Sequence, residues 1–323
     1  MKPFRYESPQ DAAAAVAMLS SDRAGRFLGG GTNLFDLMRL EVETPDLLVD
    51  VTRLGLDRID ETAGGGLLIG AGVRNSDLSA DPRVRERYPM LAQALVSGAS
   101  GQLRNLATVG GNLLQRTRCR YFQDVSKPCN KRQPGSGCPA KTGYHRNLAI
   151  LGWSEECVAT FPSDMAVALT ALGASVHVYG RDPIPMPGLH RLPGDEPQRD
   201  TTLEPGELIT AVELPPVSFA ANSTYRKVRD RASFAFAVCS VAVAVALDDA
   251  TITDVRIAYG GLAHIPWRAE RAEAALVGKP ATRDHFVAAA DAELAQAQPL
   301  RDNGYKVTLA RNVLVRALTE LTA

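Results

Sequence analysis

Two glycine turns carry the first residues of this sequence whose types and spacing could do chemistry. The first turn places glycines before two side-chain donors: Gly29, Gly30, Gly31, Thr32 and Asn33. The second turn repeats these ingredients about eighty residues later: Thr108, Val109, Gly110, Gly111 and Asn112. Glycine lets backbone N–H groups approach a ligand closely, and such a turn at the start of a helix can hold a phosphate. One turn alone is equally consistent with a tight bend that binds nothing. Two matching turns favour an extended ligand with a pyrophosphate, held between two domains.

Four of the five cysteines form a second group of candidate ligands. They are Cys119, Cys129, Cys138 and Cys157, with nine, eight and eighteen residues between them. Structural zinc sites usually take ligands in close Cys-x-x-Cys pairs, which this segment lacks. A cubane iron–sulfur cluster also takes four thiolates, and separate loops can supply them. The spacing leaves a cluster, a zinc site and four unrelated thiols open, and it favours the cluster.

The residues around these cysteines are those of a basic loop. Eight basic residues stand against one acid, Asp124, and they are Arg116, Arg118, Arg120, Lys127, Lys131, Arg132, Lys141 and Arg146. A cluster bound by four thiolates is anionic, so basic neighbours would stabilise it and raise its potential. The fifth cysteine, Cys239, lies in an apolar stretch and is predicted to be a core residue.

Composition excludes several classes of partner. The chain has 323 residues, and its 36 basic residues balance 36 acidic ones. A nucleic-acid partner would require a basic surface, so none is expected. The most apolar stretch, residues 234–247, is too short to span a bilayer. No export signal is visible at the N-terminus, so we expect a cytoplasmic protein that could be exported only with a partner carrying a leader.

The pattern of elements predicts an α+β protein of three units. The first covers residues 1–60, with a helix over 9–20 capped by Ser8 and a strand that enters the first glycine turn. The second covers 61–217 and contains the predicted iron–sulfur loop at about 115–158. Residues 181–200 are predicted to be a surface loop. The third unit covers 222–323.

Several motifs occur together in a known order. The two glycine turns, the sequence FPSDMA at 161–166 and the sequence YRKVR at 225–229 resemble the flavin subunits of the xanthine dehydrogenase (molybdenum hydroxylase) family. The resemblance covers essentially the whole chain. The segment 111–138 is similar to the FAD subunit of bacterial three-subunit aldehyde oxidoreductases, which also holds a [4Fe–4S] cluster. Most flavin subunits of the family lack this insertion.

The resemblance implies a PCMH-type FAD-binding fold of two α+β subdomains, followed by a C-terminal α+β domain like that of carbon monoxide dehydrogenase flavoproteins. It also implies residue roles. Asp164 would bond the ribityl or phosphate region, Ile209 would line the isoalloxazine, and Lys227 would lie near its edge. Locally, Asp164 could equally cap a helix and Lys227 could be a solvated strand residue. The predicted pyrophosphate contacts are Arg26, Phe27, Leu28, Gly29, Gly30, Gly31, Thr32, Asn33, Leu34, Thr108, Gly111 and Asn112, with Gln115 adjacent.

The implied activity is the oxidation of an aldehyde and water to a carboxylic acid. The molybdenum site would lie on a large molybdopterin-containing partner, and a [2Fe–2S] subunit would pass electrons to the FAD of this chain. The chain would then reduce an external acceptor and would supply no catalytic residue itself. Two alternatives remain at this stage. One is the flavin subunit of a hydroxybenzoyl-CoA-type reductase, and the other is a zinc-loop scaffold without flavin.

Overall fold

The N-terminal unit is a small parallel sheet with two helices. The computed structural model describes residues 1–22 and 24–323. The elements are β1 (Arg5–Glu7), α1 (Ala12–Ser21), β2 (Arg26–Leu28), α2 (Leu34–Arg39) and β3 (Leu47–Asp50), with strand order β1-β3-β2. Asp11, not Ser8, caps α1, because its carboxylate accepts a hydrogen bond from the Ala14 N–H at 2.8 Å. The helix therefore begins later than the sequence pattern predicts.

The second unit is an antiparallel sheet around one buried helix. Its first elements are β4 (Ile59–Glu61), β5 (Leu67–Gly70), α3 (Asn75–Ala80), α4 (Pro82–Arg87), α5 (Pro89–Ser97), α6 (Gly101–Arg104), α7 (Val109–Leu113) and α8 (Arg120–Gln123). After a 3-10 turn at Pro139–Lys141 come α9 (Asp164–Leu172), β6 (Ser175–Val178), β7 (Ile184–Pro185), α10 (Met186–Leu189) and β8 (Ile209–Leu214). The sheet order is β4-β5-β8-β6-β7, and every residue of α9 is buried.

The segment predicted as a surface loop at 181–200 is therefore only partly irregular. It contains β7 on the edge of the second sheet and the short helix α10. It also ends at Asp200, whose carboxylate pairs with residues of the cysteine segment. The turn-forming residues of this segment predict a loop, and local composition gives no information on the long-range packing that positions β7, α10 and Asp200.

The C-terminal unit is a four-stranded antiparallel sheet covered by helices. Its elements are β9 (Ser223–Val228), β10 (Cys239–Asp248), β11 (Thr251–Gly260), β12 (Trp267–Arg268), α11 (Glu270–Leu276), α12 (Arg283–Leu294) and α13 (Tyr305–Leu321), in strand order β12-β11-β10-β9. Alternate residues of β10 enter different cores: Ala242 and Ala244 join the core of the second unit, whereas Val241 and Val243 join that of the helices. Both faces of the strand are buried, which explains why it is apolar throughout.

Cys239 lies in this same helical core and is fully buried, as predicted from the sequence. Of the helices that the structure describes, none is long and apolar enough to cross a membrane.

Candidate functional site: a glycine cradle, a buried ion pair and a cysteine cavity

The two glycine turns meet, although they lie far apart in sequence. The first turn follows β2, and the second is the start of α7. A Cβ atom on Gly30 would overlap the backbone carbonyl oxygen of Leu106, and one on Gly29 would lie 2.7 Å from the Thr108 Oγ1. Only glycine allows this approach, so the turns form one surface between the N-terminal and second units.

The first turn supplies free backbone donors. Within the described part of the chain, nothing accepts a hydrogen bond from the N–H groups of Gly30, Gly31 and Thr32. Gly31 has a φ of 71°, a left-handed conformation that glycine adopts without strain. Three adjacent unpaired N–H groups are the donor set that a phosphate requires.

The second turn plays a different part from the one predicted. The Thr108 hydroxyl caps α7 by accepting from the Gly111 N–H at 3.2 Å, and the Asn112 N–H donates to the Thr108 carbonyl at 2.8 Å. These backbone donors are therefore already used. The second turn offers the side chains of Thr108 and Asn112, and it forms a wall against the first turn.

Side chains next to the turns connect them to the cysteine segment. The Asn33 side-chain oxygen accepts from the Arg116 backbone N–H at 2.9 Å. The Asn112 side-chain oxygen accepts from Gln115 at 2.8 Å and from the Ser163 hydroxyl at 2.6 Å. Asn33, Asn112 and Gln115 therefore lie near one another. The preceding strand is less accessible, since Leu28 is buried, while Arg26 is exposed and pairs with Glu43 at 3.1 Å.

Asp164 and Lys227 form a buried ion pair. The Lys227 Nζ lies 2.7 Å from one carboxylate oxygen of Asp164, and the Tyr225 hydroxyl donates to the other at 2.5 Å. Lys227 also donates to the Ser97 carbonyl at 3.0 Å. Its side chain is 3% exposed, so it is not a solvated strand residue. Nor does Asp164 cap α9, because the Ser163 hydroxyl does so by accepting from the Ala166 N–H at 3.0 Å. The pair is a buried polar feature at the start of α9.

A cavity of about 230 Å³ begins at Asp164 of this ion pair. Ser163 and Asp164 line one end, and the wall continues through Arg118, Cys119 and Phe236 toward the C-terminal sheet. The cavity does not include the glycine turns, which form a separate surface beyond Asn112 and Ser163. A ligand with a phosphate at the turns and a ring near Asp164 would have to be extended.

Ile209 does not reach this cavity. It is the first residue of β8, its side chain is 3% exposed, and it packs in the core of the second unit. A side chain buried to this degree presents almost no surface to a ligand. The structure therefore does not bring Ile209 together with Asp164 and Lys227, contrary to the role that the resemblance implies.

The four cysteines line a second, much smaller cavity of about 10 Å³. All of them are free thiols; Cys119, Cys129 and Cys157 are buried, and Cys138 is partly exposed. Burial raises the pKa of Cys119 to about 11, although the Phe122 and Tyr121 N–H groups point at its sulfur and act in the opposite direction. A hydrogen bond between Cys138 and Cys157 lowers the pKa of the first thiol and raises that of the second.

The arrangement of the four cysteines differs from that of a single-metal site. Zinc requires its sulfur ligands at about 2.3 Å from one centre. In residues 1–22 and 24–323, no three His, Cys, Asp or Glu side chains are grouped so that they could hold a single metal ion. A cubane cluster instead takes one thiolate at each iron, so its ligands surround a wider space. N–H groups aimed at the sulfurs of Cys119, Cys138 and Cys157 also suit bound thiolates.

Most of the eight basic residues do not face the cysteine cavity. Lys131 lines it, whereas Arg118 lines the larger cavity and stacks on Phe236, with 4.7 Å from its guanidinium carbon to the ring centre. Arg116 pairs with Glu43 at 2.6 Å, and Arg132 donates to backbone carbonyls. Of the basic neighbours expected to stabilise a cluster, Lys131 is therefore the one that lines the cysteine cavity.

Comparison with known proteins agrees with this layout. A family described as the FAD binding domain in molybdopterin dehydrogenase matches residues 2–217. The chain belongs to this family. The CO dehydrogenase flavoprotein C-terminal domain matches residues 223–321. The predicted fold class, an FAD-binding portion followed by a flavoprotein C-terminal domain, is confirmed. The interpretation as a scaffold without flavin is contradicted by the family match.

Relatives of this flavoprotein span its full length. The aldehyde oxidoreductase FAD-binding subunit PaoB of Escherichia coli is 49% identical over 328 residues, which cover 100% of this chain and 99% of PaoB. The glyceraldehyde dehydrogenase medium chain of Sulfolobus acidocaldarius is 27% identical, with 98% and 95% covered. Among solved structures, a carbon monoxide dehydrogenase from Hydrogenophaga pseudoflava has a TM-score of 0.76 at 27% identity and covers 99% of this chain and 97% of its own.

Three polar side chains of the flavoprotein escaped sequence reasoning. Tyr225 lies in the YRKVR motif at 225–229, but the sequence predicts no role for its hydroxyl, which donates a hydrogen bond to Asp164. Glu43 and Asp200 lie outside every motif, yet both pair with Arg116. An excess of basic residues between 116 and 146 was the available signal, since buried cations require acidic partners from elsewhere.

Proposed function

We propose that this chain is the electron-transfer subunit of a molybdenum-dependent aldehyde oxidoreductase, and that it holds both FAD and a [4Fe–4S] cluster. The observation that carries the proposal is that Cys119 lines both the cysteine cavity and the cavity that begins at Asp164, in a chain of the FAD-binding family. The full-length similarity to a protein named as an aldehyde oxidoreductase FAD-binding subunit favours aldehyde as the substrate class.

FAD would lie across the first glycine turn and the Asp164–Lys227 pair. The free N–H groups of Gly30, Gly31 and Thr32 would bond the pyrophosphate, and the side chains of Thr108 and Asn112 would support it. The other predicted contacts would lie beside the pyrophosphate, and they are Arg26, Phe27, Leu28, Gly29, Asn33, Leu34, Gly111 and Gln115. When bound, a flavin accepts single electrons and releases pairs, which suits a carrier between clusters and an acceptor.

Asp164 and Lys227 would contact the sugar and ring portions of the cofactor. Their mutual 2.7 Å contact and the Tyr225 hydroxyl fix both charges in one orientation. A buried carboxylate and ammonium are costly unless both are paired, so the pair remains rigid without a ligand. The chain's own contribution here is therefore to position and orient, not to react.

The [4Fe–4S] cluster would be held by Cys119, Cys129, Cys138 and Cys157. Support comes from their shared cavity, from N–H groups aimed at three of the sulfurs, and from the lack of a single-ion arrangement among the residues placed. Cys119 also lines the larger cavity, so the two sites share a wall. The cluster would thus lie next to the flavin region.

Two partners complete the proposal: a [2Fe–2S] subunit and a molybdopterin-containing large subunit. The histidines offer no base beside a nucleophile: His190 bonds the Leu113 carbonyl at 3.0 Å, His145 bonds the Ala140 carbonyl at 3.0 Å, and both are buried. An enzyme needs groups that touch its substrate, so the aldehyde would be oxidised on a partner. Relatives named as medium chains and subunits support such an assembly.

The experiment measures iron and FAD in the purified complex carrying Cys129→Ser. Losing one thiolate ligand should remove about four iron atoms per chain while FAD remains. The matched control is Cys239→Ser, because Cys239 is buried in the other core and should change stability only. If zinc instead of iron fell with Cys129, or if iron content did not change, the cluster would be ruled out.

A further inference from the structure

Lys131 is the basic side chain that lines the cysteine cavity, and it is deeply buried. Its side chain is 1% exposed. The ammonium donates to the Pro197 carbonyl at 2.7 Å and to the Asp200 carboxylate at 2.5 Å. Removing an ammonium from water costs several kcal/mol. A lysine that served only to bond a loop could do so at the surface, so its buried position in the wall of the cysteine cavity requires a further reason.

The acid that holds Lys131 is itself shared. Asp200 accepts from Arg116 at 2.8 Å, and Arg116 pairs with Glu43 at 2.6 Å. Burial alone would raise the pKa of Asp200, but Lys131 and Arg116 outweigh burial and leave it lowered, so Asp200 is ionised. Charges therefore alternate from Glu43 to Lys131, and the charge of Lys131 at the end acts to lower the pKa of the Cys157 thiol. Both of these bonds join the Asp200 carboxylate to cations, and Asp200 does not line the cysteine cavity. Its role is therefore to hold Lys131 in place.

We infer that Lys131 is a positioning residue whose charge sets the reduction potential of the cysteine site, and that Asp200 holds it there. The inference rests on the proposed [4Fe–4S] cluster. A cluster gains one negative charge when it is reduced, and a fixed cation in a buried, weakly screened position favours that state. Lys127, an exposed lysine of the same segment, is screened by water and would contribute little.

The test is a redox titration of the purified complex, with the cubane followed by EPR. Lys131→Met removes the charge and keeps the length of the side chain. It should make reduction at least tenfold less favourable, a fall in midpoint potential of about 59 mV for a one-electron couple. Lys127→Met is the matched control and should leave the potential unchanged. A Lys131→Met potential equal to that of the control would overturn the inference.

A second variant separates charge from loss of structure. Asp200→Asn keeps a hydrogen-bond acceptor near Lys131 but removes the balancing negative charge, so the potential should rise. Opposite shifts in the two variants are not expected from a loosened loop, which would move both in one direction. If Lys131→Met fails to assemble the cluster, the Asp200→Asn shift decides, and a fall or no change refutes the inference. Wild-type complex without a four-iron signal would refute the proposed cluster itself.

Discussion

A methyl group at Gly30 tests whether the first glycine turn binds the FAD pyrophosphate. In Gly30→Ala, the new Cβ would overlap the Leu106 carbonyl oxygen and lie 3.1 Å from the Ala107 Cα. Both atoms belong to the backbone that leads into Thr108, so no side-chain rotation relieves the clash. Overpacking of this kind costs about 1–3 kcal/mol, and the two turns should separate.

The loss of affinity follows from the donors that move with the turn. Hydrogen bonds to charged groups contribute about 1.5–3 kcal/mol each. Losing the alignment of even one free N–H among Gly30, Gly31 and Thr32 should weaken FAD binding by about 10- to 100-fold, since 1.4 kcal/mol corresponds to a factor of ten. The assay is FAD titration of the deflavinated complex, followed by fluorescence quenching, with a thermal melt to confirm that the variant is folded.

Gly64→Ala is the matched control. A Cβ at Gly64 meets nothing within 4 Å, and its φ is not in the left-handed region, so binding should not change. If folded Gly30→Ala bound FAD as tightly as this control, the first turn would not be the pyrophosphate site.

Two further predictions concern buried charges. Asp164→Asn leaves the Lys227 ammonium without its carboxylate and should lower the free energy of unfolding by about 3–5 kcal/mol. Tyr225→Phe removes one hydrogen bond and should lower it by only about 1 kcal/mol. Equal losses for the two variants in urea unfolding would contradict a stabilising ion pair. Burial lowers the pKa of His190 to about 4, below its usual 6.5. Between pH 6.5 and 4 the unfolded chain therefore binds a proton that the folded chain does not, so stability falls as the pH falls. Between pH 7.5 and 5, the wild type should lose about 2 kcal/mol more of its free energy of unfolding than His190→Gln does. Equal pH dependence of the two proteins in urea unfolding would exclude this contribution of His190.

The sequence predicts the ligand-type residues better than the way they are used. The glycine turns, the four cysteines and the core position of Cys239 all follow from residue type and context. The sequence does not reveal that Thr108 uses the N–H of Gly111 to cap α7, because a turn and a short helix start share the same pattern. Ile209 illustrates the same limit, since an apolar residue at a strand start can face a ligand or a core.

The charged network lies beyond sequence reasoning for a different reason. Arg116 and Lys131 look like solvated residues of a basic loop, and Glu43 and Asp200 lie in segments without a motif. Their pairing depends on how three distant segments fold together, because Glu43 and Arg116 are 73 positions apart and Lys131 and Asp200 are 69 positions apart. Local pattern carries no information at that separation.

The central claim is that this chain carries a flavin and a cubane cluster at two adjoining sites. It is tested most directly by extracting and identifying the flavin of the purified complex and by determining its iron in wild type and in Cys129→Ser. We predict one FAD per chain in both proteins and a difference of about four iron atoms per chain between them. A complex without FAD, or an iron content that is the same in both, would contradict the claim.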